Sequence, residues 1–138
     1  LIDPWAFQPE FPNRMFGGKV AKEQADMDAI YQSVCLAMPQ HKTEIIRKTS
    51  LDAATEFNDE SFDWVYIDGN HYYDYVRQDL ETWFPKVKPG GFLTGDDYLW
   101  QDESGTCSVA KAVSNFLQST PVLEAVSISN QFIIQKPT

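Results

Sequence analysis

Trp64-Val65-Tyr66-Ile67 is an apolar run without alternation, and it drives straight into Asp68, with Gly69 and His71 close behind. A strand of that kind suits a parallel sheet covered on both faces, where every side chain is buried whichever way it points. The next residues supply a cover. Tyr73, Val76, Leu80, Trp83 and Phe84 recur at three- and four-residue steps until Pro85, which is the stripe of an amphipathic helix crossing over the sheet. A strand–loop–helix unit therefore occupies the middle of the chain, and a carboxylate stands at its turn.

The same alternation extends in both directions. From Val20 to Met38 the apolar positions Met27, Ile30, Tyr31, Val34 and Met38 fall at helical spacing, and Pro39 stops the run. Thr43 to Lys48 carries "TEII", read as a strand that meets Ser50, and "LDAATEF" follows as a short helix. Beyond the central unit, Pro89-Gly90-Gly91 predicts a turn, then a short strand through Phe92 and Leu93, and a second strand ending at Asp96-Asp97. Val109, Ala112, Val113, Phe116 and Leu117 mark another helix, stopped by Pro121. "VLEAVSIS" and "QFIIQKP", separated by Asn130, read as an antiparallel hairpin. Leu1-Ile2-Asp3-Pro4 looks like the end of a strand that began earlier, so the chain reads as truncated at its N-terminus. The predicted fold class is α/β, with helices on both faces of a mostly parallel sheet and right-handed crossovers. A length of 138 residues suits one domain, residues 1–138, with one core.

Charge narrows the partners. A net charge of -9 argues against nucleic acid and against anionic membrane, because both are held by clustered Lys and Arg. Apolar stretches are only a few residues long, far short of the roughly 20 that span a bilayer. Cys35 and Cys107 fall in separate predicted helices with no CxxC spacing, so they read as buried free thiols, which fits a cytoplasmic protein.

In an open α/β sheet, ligands bind outside the carboxyl ends of the strands. The residues predicted there are Asp3, Ser50, Asp68 and the pair Asp96-Asp97. If the strands ending at Asp68 and Asp96 are neighbours, about 4.8 Å apart, their carboxylates project toward a common point, and Gly95 can break the extended geometry so that Asp97 turns in as well. Three converging carboxylates suit a hard divalent cation such as Mg²⁺. The alternative is that these acids cap helices and solvate loops. Asp3 is placed to accept hydrogen bonds from ribose hydroxyls. His71 is a candidate base or metal ligand, or else an imidazole hydrogen-bonded at a helix start.

"FDWVYIDGNHYYDYVRQDLETWFPKVKPGGFLTGDDY" resembles the central segment of class I S-adenosylmethionine-dependent methyltransferases, in particular a small-molecule branch with the form IDGxHxYxxVxxDL followed by LxPGGxxxGDDY. The match is close from Phe62 to about Trp100 and looser at "IDPW" and in the final hairpin. It implies a Rossmann-like three-layer sandwich and S-adenosylmethionine as cofactor. On this resemblance Asp3 binds the cofactor's ribose and Ser50 lies near its adenine, while Asp68, Asp96 and Asp97 take the places that hold Mg²⁺ in the metal-dependent O-methyltransferases. It also makes Asp68 or His71 the group that removes a proton from a small hydroxylated substrate, with Tyr98 and Trp100 as substrate-facing walls.

One part of the family pattern has no counterpart. Nothing before Asp3 supplies the first strand and its glycine-rich loop (E/DxGxxxG), which wraps the methionine end of the cofactor, and no strand feeds Gly17-Gly18. Weak or absent cofactor binding is then expected, and the two sheet edges left open invite either direct pairing across the gap or association with another chain, such as a second copy. Two other readings stand beside the enzyme: a non-catalytic remnant of the same fold, and a receiver-like module that binds Mg²⁺ at strand ends.

Overall fold

The computed structural model describes residues 1–39, 41–120 and 123–138, so Pro121 and Val122, the expected helix stop and strand start, lie outside the described residues. The backbone divides into two compact units, Leu1–Ala53 and Ala54–Thr138.

The first unit is built around helix α1 (Gln24–Ala37). Four of its expected apolar positions face inward: Met27 is buried against Trp5 and Ala21, and Ile30, Tyr31 and Val34 pack on that cluster together with Phe7 and Ile45. Helix α1 begins at Gln24 rather than near Val20 because Glu23 and Asp26 form a capping box, each side chain accepting from the other's backbone N–H. Met38, expected on the apolar stripe, is instead the C-cap and is exposed. The strands expected at Leu1–Asp3 and Thr43–Lys48 reduce to one parallel bridge between Ile2 and Ile46. Its hydrogen bonds run from Ile46 N to Leu1 O at 2.9 Å and from Asp3 N to Ile46 O at 3.3 Å. The ladder stops there because the next donor on that edge, Trp5 N, is turned to Asp3 Oδ1 instead, with Trp5 at φ +43°. A short helix α2 (Ser50–Ala54) opens at Ser50, where the Thr49 hydroxyl accepts from Asp52 N at 3.2 Å.

The second unit contains β1 (Phe62–Ile67), α3 (Tyr73–Trp83), β2 (Val87–Gly95), α4 (Ser108–Ser119), β3 (Ala125–Ile128) and β4 (Gln131–Gln135). The sheet order is β1-β2-β4-β3. Only β1 and β2 are parallel, while β2 with β4 and β3 with β4 are antiparallel. The sheet is therefore mixed, which corrects the mostly parallel expectation: a helical crossover gives the one parallel pair, and the C-terminal hairpin folds back to take both remaining places. The two strands expected after the Pro89-Gly90-Gly91 turn, one through Phe92 and Leu93 and one ending at the acidic pair, are a single strand, and the turn itself falls inside it. It bulges within a single β2, where the register advances from Val87 to Phe92 while β1 advances only from Phe62 to Trp64.

Alternation along the strands divides the sheet into two faces. Ile67, Leu93, Phe132 and Ile134 are buried, as are Val76 and Leu80 of α3 and Val109 and Val113 of α4. Helix α3 lies on β1 and β2 and packs beside α4. Leu80, Leu93 and Ile134 are fully enclosed, each contributing about 1.5–3 kcal/mol. Trp64, Tyr66, Phe92, Val126 and Ile128 occupy the alternate strand positions and are exposed. Among the described residues, no helix is long and apolar enough to cross a membrane. Both cysteines are free and half-buried rather than buried, and Cys107 is the N-cap of α4 rather than part of a helix.

Candidate active site

The parallel pair β1–β2 fixes what stands at its carboxyl end. Asp96 N donates to Ile67 O at 3.1 Å, one step beyond the last paired residues Ile67 and Gly95. Asp68 and Asp96 therefore leave the sheet from adjacent positions. Asp97 turns by its own backbone, with φ +53° in the left-handed region that tolerates Asp better than most residues. Gly95 stays within β2. Its value is the absence of a side chain: a Cβ there would meet the Phe132 ring at 2.5 Å and Ile67 O at 2.7 Å. The turn after it is held by Asp97 N donating to Asp96 Oδ1 at 2.8 Å and by Trp100 N donating to Asp97 O at 2.8 Å.

His71 enters this corner from the loop before α3, where Asn70 Oδ1 accepts from Tyr72 N at 3.0 Å. Its Nε2 stands 3.5 Å from Asp68 Oδ1 and its Nδ1 3.5 Å from Asp97 Oδ2. Both separations are ion-pair distances, longer than a normal hydrogen bond. The imidazole is 23% exposed, and its buried Nε2 has no hydrogen-bond partner among the described residues. Trp100 covers the imidazole, with ring centroids 5.7 Å apart, and meets Tyr72 edge-on at 5.3 Å. Tyr98 is half-buried, and its backbone N donates to Asn130 O at 2.8 Å.

Tyr66, which sequence reading treats only as a strand residue, belongs to the same cluster. Burial first, and then the charges of Asp96 and Asp68, a hydrogen bond with Asp96 and the charge of Asp97, push its hydroxyl pKa above the ordinary value. All three acids are thus felt at one phenol oxygen. The period-2 rule could have found it, since Tyr66 lies two residues before Asp68 on the same face.

The structure thus gathers Asp68, His71, Asp96, Asp97 and Trp100. Asp3 and Ser50 lie in the first unit. Asp3 Oδ1 accepts from Trp5 N, and burial raises its pKa against that hydrogen bond. Ser50 is the first residue of α2. Among the described residues, no three His, Cys, Asp or Glu side chains are grouped so that they could hold a metal ion.

A family model described as a methyltransferase domain matches residues 2–98. Among solved structures, the O-methyltransferase NovP superposes with a TM-score of 0.55 at 15% identity, over 99% of this chain and 59% of its own. The methyltransferase MycE of the mycinamycin biosynthetic pathway, solved with Mg and SAH, aligns with a TM-score of 0.50 at 22% identity, over 74% of this chain and 35% of its own. An uncharacterized protein of Sinorhizobium fredii, y4gI, is 38% identical over 47 residues, which are 34% of this chain and 5% of that protein. The chain thus spans less than two thirds of each of these proteins.

Proposed function

Since the chain belongs to the methyltransferase domain family, we propose that it serves S-adenosylmethionine-dependent methyl transfer to a small hydroxylated substrate, assisted by Mg²⁺. The observation that carries this reading is the position of His71, bracketed at 3.5 Å by Asp68 on one side and Asp97 on the other, at the carboxyl end of two parallel strands.

The reaction asks two things of the chain. A sulfonium methyl group must meet a nucleophile in line, and the nucleophile must lose a proton. The substrate oxygen forms a bond to the methyl carbon, the carbon–sulfur bond breaks with its electron pair going to sulfur, and the hydroxyl proton leaves to His71 Nε2 or to the Asp68 carboxylate. A buried nitrogen with no partner is suited to that role once a hydroxyl is placed against it. Trp100 walls the site beside the imidazole, and Tyr98 lines it from the same loop. Asp3 is assigned to the ribose hydroxyls and Ser50 to the adenine. A partly buried carboxylate that costs free energy when charged gains from hydroxyl donors.

We assign Asp68, Asp96 and Asp97 to the ion as hard carboxylate donors, although among the described residues they are not grouped as a metal site. Asp68 lies 3.5 Å from the unpartnered His71 Nε2 and Asp97 3.5 Å from its Nδ1, and Mg²⁺ is commonly held by one or two protein carboxylates with several waters. When bound there, the ion lowers the pKa of a substrate hydroxyl and fixes its direction. The Mg and SAH in the MycE structure support both assignments, because SAH is what remains of the cofactor once its methyl has gone. We further assign the protein to the cytoplasm, on its two free thiols, and infer self-association through β1 or β3, the edge strands of the second unit's sheet.

Calorimetry with S-adenosylmethionine tests the reading, first on this chain and then on a version extended at the N-terminus. Saturable binding by either, strengthened by Mg²⁺ and substrate, is the expected result. If neither version takes up the cofactor, the enzyme assignment fails and the non-catalytic remnant stands.

A further inference from the structure

The nitrogen assigned to take the substrate's proton is shut away. His71 Nε2 is buried and has no hydrogen-bond partner among the described residues, while the imidazole as a whole is 23% exposed. A hydroxyl cannot reach that atom until something beside it moves. The ring packed on the imidazole is Trp100, with centroids 5.7 Å apart, so whatever holds Trp100 in place bears on access to His71.

Trp100 belongs to the loop between β2 and α4, which is tied largely to itself. Gln101 and Cys107 form an antiparallel bridge across its neck. Within it, Asp102 N donates to Thr106 O at 3.0 Å and Gly105 N to Asp102 O at 2.9 Å, and the Asp102 carboxylate accepts from Ser104, Thr106 and Ser108. Both ends are fixed: Tyr98 N and Leu99 N donate to Asn130 O and Oδ1 at 2.8 and 2.6 Å, and Ser108 starts α4. The middle is held from the residues before α3. There the Tyr72 hydroxyl donates to the Glu103 carboxylate, 2.8 Å from Oε1 and 2.7 Å from Oε2, across 31 residues of sequence. The same Tyr72 meets Trp100 edge-on, with centroids 5.3 Å apart. One phenol thus grips the loop at two points, Glu103 with its oxygen and Trp100 with its ring.

We propose that Tyr72 and Glu103 are positioning residues that latch the loop of Trp100 over His71, so that a substrate hydroxyl reaches Nε2 when the latch opens. This rests on the reading of His71 as the group that takes the proton. Glu103 is exposed, so water competes for the phenol and opening leaves the core intact. A hydrogen bond of this kind shifts the balance between closed and open by about two- to tenfold, which holds the loop without locking it.

Diethyl pyrocarbonate, which acylates unprotonated imidazole, is the probe. The chain carries its own reference, since it has two histidines and the other, His41, is exposed. Reaction at each is followed by peptide mass spectrometry on the cofactor-free chain and on Tyr72→Phe, Glu103→Ala, Glu103→Gln and Trp100→Ala. Where opening precedes reaction, the rate at His71 follows the open fraction. Relative to His41, His71 should react about two- to tenfold faster in Tyr72→Phe and Glu103→Ala than in the unaltered chain, and faster still in Trp100→Ala. Glu103→Gln keeps an oxygen for the phenol and should stay near the unaltered rate; a rate equal to that of Glu103→Ala would trace the effect to lost charge and overturn the latch. Melting temperatures should stay close to that of the unaltered chain. A faster His71 seen only in variants that melt early would mean general loosening, and unchanged His71 rates in Tyr72→Phe and Glu103→Ala would mean no latch; either result overturns the proposal while leaving methyl transfer standing. If Tyr72→Phe fails to fold, the two Glu103 variants decide. Failure of both the chain and its extended version to take up S-adenosylmethionine removes the proton transfer that the latch serves, and the proposal with it.

Discussion

Gly95 of β2 lies opposite Phe132 of β4, so close that a methyl group on Gly95 would sit 2.5 Å from the ring edge. Phe132 is among the largest fully buried side chains and cannot retreat without opening the core. Gly95→Ala is therefore expected to lower stability by about 1–3 kcal/mol in a denaturant titration. Phe132→Leu made on that background should recover part of the loss, because the two residues share one volume and their effects are not additive. Losses that simply add would show that the ring is not the obstacle.

The acidic corner gives a prediction about Mg²⁺. Asp96 and Asp97 are half-buried in a loop beyond the sheet, so replacing them removes charge without emptying the core. An Asp96→Asn, Asp97→Asn pair should keep the unaltered chain's cooperative melting in chelator and lose the rise in melting temperature that Mg²⁺ gives the unaltered chain. A Mg²⁺-dependent rise of the same size in the double variant would place the ion elsewhere.

A different carboxylate contributes to acid sensitivity. Asp102 accepts hydrogen bonds from Ser104 N at 2.9 Å, Ser104 Oγ at 2.6 Å, Thr106 N at 3.1 Å and Ser108 Oγ at 2.7 Å, and Ser108 opens α4. The side-chain bonds from Ser104 and Ser108 lead in lowering its pKa from 3.8 to about 2. A carboxylate depressed in the folded state contributes stability above its unfolded pKa and loses it as pH falls through the folded value. Between pH 4 and pH 2 the unaltered chain should therefore lose stability more steeply than Asp102→Asn, as read from chemical denaturation at each pH. Parallel slopes would mean that the carboxylate's charge is not what the loop holds.

What was legible in the sequence is what local pattern dictates. The unalternated run ending at Ile67, the three- and four-residue stripe from Tyr73, the stripe from Val109 and the hairpin around Asn130 each specify one element from residues near one another, and each is present. The expected strand at Leu1–Asp3 failed on the same local scale, because the N–H the next rung needs, that of Trp5, is taken by the Asp3 carboxylate. The mixed sheet was not legible, since which edge a hairpin joins is decided by packing across the whole unit. The strand-end rule put Asp68 and Asp96-Asp97 just beyond the paired residues Ile67 and Gly95, where they stand, and Trp100, named from the resemblance, lies beside the His71 ring. Tyr66 was missed although period-2 alternation from Asp68 could have placed it on the same face, whereas Asn130 and Gln131 make contacts that reach over 30 or more residues of sequence. Gly95 was recognised for the wrong reason: what matters is the space it leaves, while the turn is made by Asp97 itself.

Asp3 offers a test in which stability and binding move in opposite directions. Its pKa is raised, chiefly by burial, despite the hydrogen bond it accepts from Trp5 N. A carboxyl whose folded pKa lies above the unfolded one favours the fold while protonated, below about pH 4, and loses that contribution as pH rises through the folded value. At neutral pH the charged group therefore costs stability. Asp3→Asn keeps an oxygen for Trp5 N and removes the charge, so it should melt at a higher temperature than the unaltered chain at pH 7 and lose that advantage near pH 3. If the charge is retained because ribose hydroxyls donate to it, the same change should weaken S-adenosylmethionine binding by about tenfold or more, the usual worth of a hydrogen bond to a charged acceptor. A variant that melts higher at pH 7 and binds the cofactor as well as before would leave Asp3 with no part in holding it, and the ribose contact would have to be sought on another residue.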